Sequence, residues 1–348
     1  MSAPIATDVL VIGAGPVGLF QAFQLGLQDI RCHIVDSLPH PGGQCTELYG
    51  DKPIYDIPGL PRCTGKELIE RLQTQVKPFA PLFHCGHGVS HLTPQAVGFA
   101  VETAQGLHFE ARNVVIAAGV GAFEPRQLPA ADFKPLRGSQ VFFAGQDPSV
   151  FAGQACLVVG GDGNAIEAAL QLCDLSGPNA PNPVGLMHRR DVWDAEPALI
   201  ERMRQWVREG RLQLHIGQLL EPRLQDQRMH AAGWVDSAGV SHTLPCDAIW
   251  VQLGLSPQLG PLSEWSLAMQ RKQLVVDSAT FATSMDGVFA VGDINTYPGK
   301  QKLILCGFHE ATLAAFAIAA RLRPGERTTL QYTTTSTHLH RLLGVDGR

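Results

Sequence analysis

Asp8-Val9-Leu10-Val11-Ile12-Gly13-Ala14-Gly15-Pro16-Val17-Gly18 is the stretch that decides the fold. Its five opening residues are mostly apolar and β-branched, as in a buried parallel strand. Three glycines at G-x-G-x-x-G spacing follow at once, and Phe20 to Leu27 then places apolar residues at helical intervals. A second apolar run, Cys32-His33-Ile34-Val35, ends on Asp36. Strand, glycine turn, helix, strand and acid is the order of a dinucleotide fingerprint. Gly13 makes the tight turn, Gly15 admits a pyrophosphate to the backbone, and Gly18 lets the helix pack on its strand. The pyrophosphate is expected at the helix N-terminus, where free N–H groups and the helix dipole favour negative charge. Asp36 falls about 20 residues beyond the glycines, where an acid accepts hydrogen bonds from an adenosine ribose.

The same layout recurs downstream. Ala155-Cys156-Leu157-Val158-Val159 reads as a strand and Gly160-Gly161-Asp162-Gly163-Asn164-Ala165 as its turn. Ala165 to Leu175 reads as a helix, and Val184 to His188 as the next strand. The chemistry at its end differs, for this copy closes on His188-Arg189-Arg190 instead of an acid. An acid there suits a ribose hydroxyl, whereas arginine suits a ribose 2′-phosphate. The first copy therefore favours FAD and the second NADP, with Gly160, Gly161, Arg189 and Arg190 as the second set of cofactor residues.

Around these copies lie further elements. Thr64 and Glu67 stand at capping-box spacing before a helix that continues to about Val76. Strand-like pieces occur around Val89, Phe99–Val101, Asn113–Gly119, Ala248–Gly254 and Gly287–Asp293, while Pro125, Pro129 and Pro135 mark a linker. An alanine-rich helix from about Glu310 to Leu322 is preceded by a turn, near Gly307-Phe308-His309-Glu310, suited to facing an electron-rich cofactor. Gln331 to Thr337 is polar and β-prone, and a short helix is expected within His338–Val345. The loop after Asp36 carries Gln44, Cys45 and Tyr49. Tyr49 reads either as a ring packed on the core or as one stacked on a planar cofactor, and the local sequence does not choose. The expected architecture is α/β, with two Rossmann-like three-layer dinucleotide-binding domains. Residues 123–254 form an NADP domain inserted into an FAD domain made of 1–122 and 255–348.

Composition excludes several classes. The 348 residues are 45% hydrophobic and 17% charged with a net charge of −5, which describes a soluble globular chain of about two domains. No run of Lys and Arg suggests nucleic acid. No stretch is read as a membrane span and no leader as a signal peptide, so a cytoplasmic protein is expected. The eight cysteines are scattered, without C-x-x-C or zinc spacing, and no metal site is expected.

Several further segments are specific. Gly42-Gly43-Gln44 with Leu48-Tyr49, Lys52-Pro53-Ile54-Tyr55-Asp56-Ile57-Pro58-Gly59, His188-Arg189-Arg190-Asp191, Val291-Gly292-Asp293 with Thr296-Tyr297-Pro298-Gly299-Lys300, and the tail Tyr332 to Thr337 stand at matching places in one family. Together they resemble the ferredoxin(flavodoxin)–NADP reductases of the thioredoxin-reductase-like type over nearly the whole chain. The resemblance implies FAD contacts at Asp36, Gln44, Tyr49, Val89, Phe123, Asp293 and Thr337, with Tyr49 stacked on the isoalloxazine and Thr335 at the position that covers the opposite face. It also implies hydride transfer from NADPH to the flavin, single electrons passed to ferredoxin or flavodoxin, and a homodimer. No side chain is needed as acid, base or nucleophile. An acidic ferredoxin would be steered by a local basic face, for which Arg321, Arg323, Arg327 and Arg341 are candidates.

Three departures from the family pattern stand out. Asp162 takes the place of the third glycine of the second loop, Asp194 the place of a further arginine, and His309 that of a small residue. They keep open a flavin-binding sensor with impaired NADPH use. A thioredoxin reductase, the other alternative, requires a paired dithiol in the second domain, where Cys156 and Cys173 lie far apart in sequence and no C-x-x-C occurs.

Overall fold

The computed structural model describes residues 3–143, 145–176, 184–326 and 331–345, with the side chains of residues 123, 124 and 257 left aside. The chain forms two compact units, Met1–Ala122 with Pro257–Arg348, and Phe123–Ser256.

In the first unit the apolar strand Ile5–Ile12 lies at the centre of a sheet. Cys32–Asp36 and then Leu82–Cys85 pair on one side of it, and His108–Ile116 pairs on the other, all parallel. Val288–Ala290 also pairs with His108–Ile116 in parallel, while Phe99–Thr103 and Val89–Pro94 continue outward as an antiparallel meander. Register fixes what matters for function. Ile12 is opposite Ile116, and Ile116 is opposite Ala290, so the segments following all three strands leave the same carboxyl edge. That edge is where open α/β sheets hold ligands.

Helix Pro16–Leu27 packs its Leu19, Ala22 and Leu25 into the core, and each fully buried leucine contributes about 1.5–3 kcal/mol. Helix Gly65–Val76 begins with the expected capping box: Thr64 Oγ1 accepts from Glu67 N–H at 3.2 Å, and the Glu67 carboxylate accepts from Thr64 N–H at 2.8 Å. Helix Ile304–Leu322 starts earlier than its alanine-rich part suggested. By length and composition it could cross a bilayer, a feature the sequence reading passed over. Its Ala311, Ala314, Ala315, Ile318 and Ala319 line the core beside a buried Glu310, as in the central helix of a globular fold. The tail before the last helix, Thr337–Leu342, forms a turn closed by Thr335 N–H to the Tyr332 carbonyl, although its threonines suggested a strand.

The second unit repeats the parallel core and extends it. Its sheet runs Val141–Phe143, Ala248–Gln252, Cys156–Gly160, Val184–His188 and Gln213–Gln225, all parallel. It ends in the antiparallel pair Arg228–Asp236 and Ser241–Pro245. Helices Gly163–Ser176 and Pro197–Arg208 cover one face around Ile166, Met203 and Trp206. On the other face Phe133 and Leu136, from a short helix within the proline-marked segment, meet Met229 and Leu244. That segment therefore belongs to the core of the unit and is not a free linker.

Candidate dinucleotide sites

The first glycine turn is shaped as its fingerprint requires. Gly13 adopts φ +110° and donates its N–H to Val35 O at 2.8 Å, which ties the turn to the neighbouring strand. A Cβ on Gly18 would collide with the Gly13 carbonyl, so helix and turn touch backbone to backbone. Gly15 differs from both, because a Cβ there would meet nothing within 4 Å. Gly15 is also the N-cap of the helix and offers no side chain to it, and Pro16 follows. Leu19 N–H bonds the Gly15 carbonyl, which leaves the N–H groups of Val17 and Gly18 without an acceptor among the described residues. Open space above a glycine, next to unused N–H donors, fits the pyrophosphate of a dinucleotide.

Asp36 is held at the end of the second strand. Its carboxylate accepts from Ala14 N–H at 2.6 Å and from Leu38 N–H at 2.8 Å. Burial pushes this carboxyl above the ordinary carboxylate value, while the two backbone donors and the charge of His40 pull it back. Each oxygen keeps a lone pair for a ribose hydroxyl. Val89 is half-buried at the start of its strand, and the preceding Gly88 faces Ser37, directly after Asp36.

Gln44, Tyr49 and Asp293 converge beside the same edge. The Gln44 side chain lies beside the Asp293 carboxylate, whose pKa it lowers, and reaches to 3.2 Å from where a Cβ on Gly119 would stand. Tyr49 is half-buried against the core, within hydrogen-bond reach of Cys45 Sγ at 3.6 Å, and its phenol is pushed up by burial first and by the adjoining Cys45 and Asp293. Both readings of Tyr49 thus have a basis: one side packs on the protein, and the ring sits among the groups expected around a flavin. Burial likewise raises the Asp293 carboxyl, against the charges of Lys300 and Lys302. Thr337 and Thr335 are exposed in the tail, whose last helix lies against helix Pro16–Leu27. The backbone of Phe123 opens the second unit, and its side chain lies outside the described residues.

One cluster here escaped the sequence reading. Glu310 is fully buried and accepts from Gly292 N–H at 2.7 Å, Asn295 Nδ2 at 2.8 Å, Tyr297 Oη at 3.0 Å and Lys300 Nζ at 2.5 Å. Lys300 Nζ also donates to the Gly292 carbonyl at 2.6 Å. One buried ion pair therefore grips both the N–H and the C=O of Gly292, which sits at φ +88° immediately before Asp293. The Tyr-Pro-Gly-Lys segment, noticed only as a family marker, has this structural task. The available signal was a glutamate on the same helical stripe as Gly307, Ala311 and Ala314, where an apolar residue is the norm.

The second loop has the same outline with different chemistry. Asp162 Oδ1 accepts from Ala165 N–H at 3.0 Å, so the aspartate caps its own helix. Gly163 N–H bonds the Asp194 carbonyl at 3.1 Å and Asp194 N–H bonds the Gly161 carbonyl at 3.0 Å, clasping the loop to the segment after His188. A Cβ on Gly161 would run into the His188 imidazole. Arg189 and Arg190 are exposed and hold no ion pair among the described residues. Burial and then the charges of these two arginines push His188 below its ordinary value. The pair suits a 2′-phosphate.

The expected basic face is not free. Arg321 is engaged by both Asp286 oxygens at 2.6 Å, and Arg323 donates to the Gln28 carbonyl at the end of helix Pro16–Leu27. Arg341 remains exposed, and Arg327 lies outside the described residues. His309 is exposed in the first turns of its helix. Among the described residues no cluster of His, Cys, Asp and Glu could hold a metal ion.

Comparison with known proteins agrees with this geometry. The pyridine nucleotide-disulphide oxidoreductase family model matches residues 7–315. A protein of Verminephrobacter eiseniae called ferredoxin–NADP reductase is 52% identical over 98% of this chain and 97% of its own. A protein of the same description from Leptothrix cholodnii is 52% identical over 98% of this chain and 92% of its own. A crystal structure of Lactococcus lactis thioredoxin reductase superposes with a TM-score of 0.59 at 21% identity, covering 90% of this chain and 99% of that one, a likeness of fold. The chain is an enzyme that uses FAD and NADP(H). It belongs to the pyridine nucleotide-disulphide oxidoreductase family, within its ferredoxin–NADP reductases of the thioredoxin-reductase-like type.

Proposed function

We propose that the enzyme takes a hydride from NADPH onto FAD and delivers the electrons singly to a ferredoxin or flavodoxin, as a cytoplasmic homodimer. The observation that carries this reading is the pair of chemically distinct glycine loops: one with N–H donors that find no acceptor among the described residues and a half-buried acid, the other ending on two arginines with no ion pair among the described residues. FAD, when bound, supplies the conversion of a two-electron donor into one-electron steps. The protein supplies position. Gly15 and the N–H groups of Val17 and Gly18 take the pyrophosphate, Asp36 the ribose, and Val89 the adenosine side. Gln44, Tyr49, Asp293, Phe123 and the tail at Thr337 attend the flavin, while Arg189 and Arg190 take the 2′-phosphate of NADPH beside Gly160 and Gly161. The thiols argue against a disulfide relay. Cys156 and Cys173 are buried and pushed up to about 12, so neither is a ready nucleophile. The test is NADPH-dependent reduction of a panel of ferredoxins and flavodoxins, with thioredoxin as control. Turnover with an iron–sulfur or flavin carrier and none with thioredoxin is expected. Thioredoxin reduction that survives replacement of Cys156 and Cys173 would overturn the reading.

A further inference from the structure

We infer that Asp162 sets the affinity for NADP: it is an internal anion seated on the helix N-terminus that the nucleotide's pyrophosphate must displace. The inference rests on the assignment of NADP to the second glycine loop and deepens it.

The two loops align as Gly13-x-Gly15-x-x-Gly18 and Gly160-x-Asp162-x-x-Ala165. Asp162 thus stands where Gly15 stands, the position whose missing side chain leaves the first loop open. The donors differ accordingly. In the first loop the N–H groups of Val17 and Gly18 are unused among the described residues. In the second, Ala165 N–H is taken by the Asp162 carboxylate, Gly163 N–H by the Asp194 carbonyl and Ile166 N–H by the Asp162 carbonyl. Only Asn164 N–H is left without an acceptor among the described residues. A pyrophosphate seeking this helix end therefore meets a carboxylate already bonded to it, so the nucleotide loses both a donor and a favourable charge. The far end of the nucleotide is untouched by this competition, because Arg189 and Arg190 lie beyond the loop and hold no ion pair among the described residues. The affinity of NADP+ is accordingly divided: its 2′-phosphate is favoured and its pyrophosphate opposed.

Two probes separate these ends, oxidised NADP+ and adenosine 2′-monophosphate, which carries the 2′-phosphate without a pyrophosphate. Both are titrated calorimetrically into the FAD-loaded enzyme and into Asp162→Gly, Asp162→Asn and Arg189→Ala. Losing the cap competition and a solvent-screened like charge is a gain of about five- to thirtyfold in NADP+ affinity for Asp162→Gly. Adenosine 2′-monophosphate should stay within about twofold. Asparagine caps as well as aspartate, so Asp162→Asn keeps the helix end and the fold while removing the charge. It should tighten NADP+ by a few-fold, and this variant decides the matter if Asp162→Gly is unstable. Unchanged NADP+ affinity in both variants, or an equal gain for the two probes, overturns the inference. In the second case loosening of the loop, and not displacement of an anion, is responsible. Arg189→Ala should weaken both probes. If it moves neither, NADP does not use this loop, and the assignment falls together with the inference.

Discussion

Replacing Lys300 by methionine tests the clamp on Gly292. The Lys300 and Glu310 side chains are 5% and 0% exposed, so neither charge has recourse to water. Methionine keeps most of the volume of lysine and removes the ammonium, leaving Glu310 with three donors: Gly292 N–H, Asn295 and Tyr297. Breaking a buried pair from one side costs about 3–5 kcal/mol, because the remaining charge is stranded. At about 2–4 °C per kcal/mol for a unit of this size, the melting temperature should fall by about 6–20 °C. Glu310→Gln should cost a similar amount, for it strands the ammonium. The double variant Lys300→Met/Glu310→Gln should recover much of the loss, since removing both charges removes the desolvation cost as well. The assay is urea denaturation of the FAD-loaded enzyme for all four members of the cycle, with flavin release followed in parallel. Because the clamp sits next to Asp293, flavin should leave at lower urea in both single variants. The reasoning is refuted if Lys300→Met lies within about 1 kcal/mol of wild type, or if the double variant is destabilised by the sum of the two singles.

Two further outcomes follow from the first unit. Tyr49→Ala should shift the flavin absorption bands and weaken FAD retention by the roughly 0.5–1.5 kcal/mol of an aromatic stack, checked by equilibrium dialysis; an unchanged spectrum and affinity would return Tyr49 to core packing alone. His33 Nδ1 and His84 Nε2 are 3.0 Å apart with their rings stacked, so one proton serves the pair, and burial lowers both imidazoles, His84 further through the charges of His33 and His87. Their folded values lie below the unfolded one near 6.5, so the unfolded chain binds more protons in that window and stability falls as pH drops below about 6.5. His33→Phe/His84→Phe should flatten this slope, and urea midpoints between pH 5 and 7 that decline equally in variant and wild type would show that the pair contributes nothing.

How much of this was legible depends on how local the signal is. Parallel strands such as Asp8–Ile12 and Cys156–Val159 are buried on both faces, so they read as unbroken apolar runs and were placed from sequence. The outer part of that sheet, Gln213–Gln225 with the antiparallel Arg228–Asp236 and Ser241–Pro245, was not. Its residues are interleaved buried and exposed, Pro222 interrupts the first strand, and the register shifts there. The fates of Arg321 and Arg323 were equally hidden, since Asp286 and the Gln28 carbonyl are remote in sequence and only folding brings them together. An arginine at a helix end reads as a free surface cation until such a partner is known.

The two glycine loops mark the same boundary more sharply. A spacing of three positions identifies a nucleotide-binding turn because backbone geometry repeats whenever the strand–turn–helix repeats. Whether the N–H groups at that turn are free is a different property, decided by one side chain. Aspartate is among the best N-caps, and at the second glycine it brings bulk and negative charge to the place where the backbone approaches a pyrophosphate. At position 162 these two tendencies compete for the same donors, and the local one prevails because its carboxylate is covalently at hand whereas the nucleotide must arrive from solution. The first loop, with glycine at the cap and proline after it, offers no such competitor. Its donors stay available, and the same fold is therefore open to a dinucleotide at one end of the chain and guarded by its own carboxylate in the middle.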